Sequence, residues 1–164
     1  MQNTSHISNL LGEYEVTLDT KSRFMLPTAA KKQLPEGESK FVMNRGFEGC
    51  LNLYPQQSWN PIIESINKLN DFDPKVREFK RKFLGGATEV EIDSAGRILL
   101  PQALKEYGGI AKETKDIVLA ASGNKFEVWE ATKYKKLFED FSSEEFSKLA
   151  NEVMGNGLAQ QVEK

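Results

Sequence analysis

The sequence predicts a mixed α+β protein that uses one small strand-rich module twice. Three observations predict it. The first is an internal repeat: shifted by 74 residues, 15–31 (EVTLDTKSRFMLPTAAK) lies on 89–105 (EVEIDSAGRILLPQALK) with eight of 17 positions identical, where chance gives roughly one. The second is alternation of apolar and polar residues around Val16 and Leu18, the period of a half-buried strand. The third is punctuation: Leu-Pro follows the second short apolar run in both copies, and Gly-Gly pairs close two helical stretches.

Each copy reads strand, turn, strand, short helix, strand, turn, strand, longer helix. Phe24-Met25-Leu26 and Ile98-Leu99-Leu100 read as strands buried on both faces. Pro27 and Pro101 follow at the first helical position, where a missing N–H is harmless, and Gly108-Gly109 ends the second short helix. The likeness continues from 41–55 to 117–131. There Asn44-Arg45-Gly46 and Ser122-Gly123-Asn124 carry hairpin-turn chemistry, and helical stretches open near Trp59 and Tyr134. Between the copies, Asp73-Pro74 caps a helix of about 74–84 that stops at Gly85-Gly86, with Val76, Phe79 and Phe83 on its packing stripe. Ser142 and Glu145 form a capping box for a last helix to about Met154, with Phe146, Leu149, Ala150 and Val153 as its buried face.

Composition narrows the function. The 164 residues carry 22 Lys+Arg against 24 Asp+Glu, a net charge of -2, which argues against nonspecific coating of nucleic acid. No apolar run approaches the ~20 residues of a membrane span, and the first 15 residues lack the pattern of a secretory signal. Cys50 is the single cysteine, in keeping with a reducing cytoplasm. Neither a phosphate-cradling glycine loop nor Cys/His metal spacing is present, so no catalysis, cofactor, metal or small-molecule substrate is expected.

The chemistry that stands out is Asp-x-x-x-Arg in the first turn of each copy, Asp19 to Arg23 and Asp93 to Arg97. Asp at a turn start accepts hydrogen bonds from backbone N–H groups, and Arg four residues on is within reach of a bidentate pair with it. The guanidinium, with Lys21 from the same loop, suits phosphates or a guanine edge. Other groups have plainer readings. Lys75, Arg77, Lys80, Arg81 and Lys82 flank a helix stripe as solvated or ion-paired charge, and His6 has no partner in sequence. Cys50, Trp59, Trp129 and Phe126 are core or packing residues.

GEYEVTLDTKSRFMLP, DSAGRILLP and REFKRKFLGGA resemble the MraZ transcriptional regulators, whose repeats belong to the AbrB-like swapped-hairpin superfamily. The resemblance spans 12–155: a first repeat with its helix (12–70), a linker helix (71–86) and a second repeat with the C-terminal helix (87–155), flanked by flexible ends (1–11 and 156–164). It implies two swapped-hairpin β-barrel repeats folded as an intramolecular pseudo-dimer, assembled into a ring-shaped homo-oligomer. It further implies a cytoplasmic, nucleoid-associated repressor of the division and cell wall gene cluster, its own gene included, acting on direct repeats in double-stranded DNA. Asp19, Arg23, Asp93 and Arg97 match the motif. Ser22 departs from the usual glycine that Gly96 keeps, at a strain of roughly 1 kcal/mol.

The expected DNA-binding residues are Lys21, Arg23 and Arg97, with Lys31, Lys32 and Arg45 enlarging the face, and Asp19, Asp93, Ser22 and Gly96 shaping the turns. Ala95 stands where the first copy has Lys21, so the first repeat is the expected reader. Two or three phosphate contacts per subunit are too few for tight binding, whereas a ring gains about 10²–10⁴ through effective concentration. The competing readings are a ring-shaped protein-interaction scaffold, and an antitoxin-like member of the same superfamily, a class usually single-copy and shorter.

Overall fold

The computed structural model describes residues 9–155. His6 and the tail 156–164 lie outside them. The chain divides into two compact units, Met1–Ala131 and Thr132–Lys164. In the first unit the two copies are interleaved rather than laid side by side.

The first copy supplies β1 (Glu13–Thr17), β2 (Arg23–Met25), α1 (Thr28–Lys31), β3 (Lys40–Arg45), β4 (Leu51–Pro55) and α2 (Gln56–Asn67). The linker α3 covers Pro74–Leu84. The second copy supplies β5 (Thr88–Glu91), β6 (Arg97–Leu99), α4 (Gln102–Tyr107), β7 (Asp116–Ser122) and β8 (Lys125–Glu130). The main sheet has the order β1-β7-β8-β4-β3-β5. Exchanging the copies reverses that order onto itself, the signature of a pseudo-dimer. Each copy sends its first strand to the other: β1 pairs with β7, Val16 opposite Ile117, and β5 pairs with β3, Val90 opposite Phe41.

The second strands leave that sheet and pair with each other as an antiparallel ribbon, β2 with β6. This is the swapped arrangement, but the strand pairing does not close into a barrel. The sheet ends on β1 and β5, and the ribbon stands apart from it. Both edges are short and carry exposed glutamates, Glu13 and Glu15 on β1, Glu89 and Glu91 on β5, which discourages further strand addition.

One core lies between ribbon and sheet, with Phe24 and Ile98 from the ribbon packed among Phe41, Leu51, Leu53, Ile117, Leu119, Phe126 and Val128. Burial of each such side chain contributes roughly 1.5–3 kcal/mol. A second core lies on the sheet's other face. There Tyr54 lies tilted against Trp59 with ring centroids 5.3 Å apart, Trp59 stacks on Phe83 at 5.9 Å, and Phe79 stacks on Phe83 at 5.2 Å. Trp59 and Phe126 are thus core residues, as is Trp129. Of the expected α3 stripe, Phe79 and Phe83 pack in this core while Val76 is half-buried outside it, and the N-cap is Asp73, whose side chain accepts from Lys75 N.

Several expectations need correction. The ribbon strands are not buried on both faces: Phe24, Leu26, Ile98 and Leu100 point inward, while Met25 and Leu99 are 54% and 53% exposed. The runs are short enough that period-2 alternation is hidden when the outward residues are also apolar. The prolines sit one residue before the short helices, as N-caps. Asn44 and Arg45 are not in the first hairpin turn but end β3, and the turn is Gly46 to Cys50 through a 3-10 segment. Asn44 is wholly buried: its Nδ2 donates to Phe83 O at 3.0 Å, and Asn52 Nδ2 donates to Asn44 Oδ1 at 3.1 Å. The pair thereby satisfies an orphan carbonyl at the end of α3. The first described residues are not loose. Leu10 is buried, its N–H donates to Gly123 O at 2.7 Å, and Leu11 N donates to the Gln33 side chain.

The second unit holds α5 (Ala131–Lys136) and α6 (Ser143–Met154). Ser142 caps α6 by accepting from Glu145 N at 3.1 Å, and Gly155 ends it in the left-handed region. An aromatic series runs Tyr134, Phe138, Phe141, Phe146 with centroids 5.2–5.6 Å apart. The expected buried face of α6 is open, since Phe146, Leu149 and Val153 are exposed by more than half. Periodicity reports an amphipathic helix but not what covers it.

Candidate nucleic-acid interface

Each Asp-x-x-x-Arg segment folds into the same tight connection. In the first, Ser22 N donates to Asp19 O at 3.0 Å and Asp19 N donates to Arg23 O at 2.8 Å. Ser22 between them adopts φ 63°. In the second, Gly96 N donates to Asp93 O at 3.0 Å, Asp93 N to Arg97 O at 2.9 Å, and Gly96 has φ 83°. A turn followed by one left-handed residue is the three-residue hairpin geometry. It explains glycine in the second copy and leaves Ser22 strained by about 1–2 kcal/mol.

The aspartates act as staples. Asp19 Oδ1 accepts from Lys21 N and Arg23 N, both at 2.9 Å, and Asp93 Oδ1 accepts from Ala95 N and Arg97 N at the same distances. Those bonds favour the charged form, so both carboxyls are held below the usual value of 3.8, chiefly by the backbone N–H of Arg23 and of Arg97 respectively.

The remaining oxygen takes the arginine, though by one bond rather than the bidentate pair expected: Arg23 Nε to Asp19 Oδ2 at 2.9 Å, Arg97 Nε to Asp93 Oδ2 at 3.0 Å. Contact through Nε fixes the guanidinium and leaves both Nη groups without a hydrogen bond among the described residues. Those two groups form the edge that makes bidentate contacts.

The ribbon brings both arginines to one surface. Arg23 lies opposite Leu99 and Met25 opposite Arg97, and these four residues alternate outward from buried Phe24 and Ile98. Arg23 and Arg97 are therefore diagonal neighbours on one face, roughly 7–8 Å apart at the backbone, flanked by two exposed apolar side chains.

The turns also interlock. Leu100 N donates to Ser22 O at 2.9 Å and Leu26 N donates to Gly96 O at 3.1 Å. Each turn thus rests on the other copy, and so do the short helices. Lys31 and Lys32 on the α1 side line a cleft of about 530 Å³ with Asp93 at its edge, beside the second turn.

Among the expected site residues, Lys21, Arg23, Arg97 and Lys31 gather at this end of the unit, with Asp19, Ser22, Asp93 and Gly96 shaping it. Arg45 does not join them. It sits at the opposite end of β3 from Lys40, whose partner Glu91 leads into the second turn, roughly 16 Å of strand away. There Arg45 Nη1 donates to Lys82 O at 3.1 Å and the guanidinium lies 5.9 Å from the Tyr107 ring centroid. Three of the five linker cations are similarly engaged: Lys80 pairs with Asp71, Lys82 with Glu78 at 2.8 Å, and Arg77 Nη1 donates to the carbonyls of Asp71 and Phe72. Cys50 is buried, its thiol pushed up to about 11 by burial.

Among the described residues no cluster of side chains is arranged to hold a metal ion, and no helix is long and apolar enough to cross a membrane.

The duplicated turn, the ribbon and the linker helix together find a match in one family. The family model described as "MraZ protein, putative antitoxin-like" matches twice, over residues 10–82 and 83–156. The chain belongs to the MraZ family. Relatives named "Transcriptional regulator MraZ" include one from Christiangramia forsetii, 45% identical over 150 residues that cover 90% of this chain and 94% of the relative. Another, from Flavobacterium psychrophilum, is 41% identical over 152 residues, covering 92% and 94%. A third, from Cytophaga hutchinsonii, is 39% identical over 144 residues, covering 87% and 93%. Transcription regulation is thus the role of the family, and both MraZ repeats are present in this chain.

Proposed function

We propose that the chain binds double-stranded DNA through the ribbon and its two turns, acting as a transcriptional repressor at repeated sites upstream of the division and cell wall genes, its own included. One observation carries this reading: Arg23 and Arg97 share one outward face, each oriented through Nε with its Nη edge open. A two-stranded ribbon fits the major groove, where an open Nη edge matches guanine O6 and N7, and exposed apolar side chains match thymine methyls. Met25 and Leu99 are suited to the second task. The glutamates on β1 and β5 repel phosphate from the sides of the sheet, so approach is end-on, through the turns.

A net charge of -2 makes one protomer a weak ligand for DNA. Assembly into a ring-shaped homo-oligomer presents the same face to successive direct repeats and multiplies its affinity by about 10²–10⁴. Such a role belongs in the cytoplasm, at the nucleoid.

The test is a gel shift on the chain's own upstream DNA with R23A, run beside sedimentation. The expected result is loss of binding with the assembly intact. Unchanged binding would place the DNA contact elsewhere, and loss that tracks dissociation would remove the case for Arg23 as a contact. Absence of salt-sensitive binding by the parent protein would favour the protein-interaction scaffold.

A further inference from the structure

The two turns should be equivalent, yet one has an anchor that the other lacks. Lys105 on α4 is only 5% exposed, and its Nζ donates to Ser22 Oγ at 2.6 Å, 83 residues away in sequence. Its counterpart in the first copy, Lys31, is exposed, and the residue it would meet is Gly96, which has no hydroxyl. Ser22 is therefore held twice by the second copy, through its carbonyl by Leu100 N and through its hydroxyl by Lys105. Gly96 is held once, through its carbonyl by Leu26 N.

We infer that Lys105 is a positioning residue for DNA recognition, fixing the first turn through Ser22 so that Lys21 and Arg23, on either side of it, are presented in one geometry. The inference rests on the reading of the turns as the DNA-contacting face. A lysine buried inside the protein cannot itself neutralise a phosphate, so its influence passes through Ser22. Serine at this position departs from glycine because the hydroxyl is the handle by which the second copy grips the first turn. The left-handed backbone, unfavourable for serine, is kept in place by that grip.

The experiment is a double-mutant cycle with K105M, S22A and S22A/K105M, read by binding to a labelled duplex of the chain's own upstream DNA and by backbone amide exchange at Ser22, Arg23, Gly96 and Arg97. Each single variant should weaken binding about tenfold, the scale of one lost internal hydrogen bond. The double variant, in which both partners are apolar and the fold is best preserved, should also lose about tenfold rather than about a hundredfold. Amide exchange should quicken at Ser22 and Arg23 and stay unchanged at Gly96 and Arg97. The salt dependence of binding should keep its slope.

Unchanged exchange at the first turn in K105M would overturn the inference. So would additive losses with a slope shallower by about 0.9, which would make Lys105 a phosphate contact. R23A separates the two readings. If it binds like the parent while K105M still quickens exchange, the DNA-contacting face is wrong although the anchor is real.

Discussion

The first and second turns have the same backbone hydrogen bonds, the same staple and the same arginine, and they differ at three adjacent positions, the mildest being Thr20 against Ser94. The first has Lys21 and Ser22 where the second has Ala95 and Gly96. What surrounds them differs in the opposite sense: the first turn rests on a buried Lys105, the second has exposed Lys31 and Lys32 nearby. Duplication within one chain thus frees the copies from strict symmetry. The first turn carries its own lysine and is bonded by Lys105, whereas the second has no lysine of its own and lies beside Lys31 and Lys32 of the other copy. The ribbon still joins them, so neither turn acts alone.

The largest effect expected is on DNA affinity from losing both arginines. R23A/R97A should weaken binding by on the order of 10²–10⁴, since each bidentate contact is worth about 1–3 kcal/mol, while sedimentation of the protein is unchanged. R23A should cost more than R97A. Equal losses in gel shifts would erase the functional difference between the turns.

A smaller change should follow from moving the lysine. K21A should make the log–log salt slope shallower by about 0.9 for each protomer that contacts DNA, and A95K should steepen it by a like amount. The stability effect is smaller still in functional terms. G96A forces a side chain into φ 83° with only Met25 Cε at 3.7 Å to meet it, so the penalty is all backbone, about 1–2 kcal/mol of unfolding free energy read from denaturant melts.

The pH effect is a matter of direction. Both aspartates have depressed folded pKa values, so their stabilising contribution is complete above the unfolded value of 3.8 and is lost as pH falls through the lower folded values. D19N and D93N should each flatten that acid limb in thermal melts recorded below pH 4, and leave the neutral range with no pH slope of their own. An unaltered limb in either variant would mean that its staple is absent in solution.

Much of this was legible because it is local. The Asp-x-x-x-Arg turns, the Asp73 cap, the Ser142 capping box and the order of strands all depend on neighbours within a few residues. The family resemblance supplied the swap. What could not be read was contact made across the swap. Nothing near Lys105 in sequence announces a buried lysine, because its partner belongs to the other copy. Asn44 imitated a turn residue because asparagine suits both a turn and a buried carboxamide pair, and only Asn52 and Phe83 O decide between them. Arg45 looked like part of a cationic face because nearness along the chain says little about which end of a strand a side chain occupies.

On the proposed function, a modest cationic face, repeated by assembly, grips DNA that no single protomer holds. The most direct test is the salt dependence of binding to the chain's own upstream DNA. Four engaged protomers neutralising on the order of ten phosphates predict a log–log slope near -9. A slope of about -2 or shallower at full affinity would mean that protomers bind singly, contradicting the account.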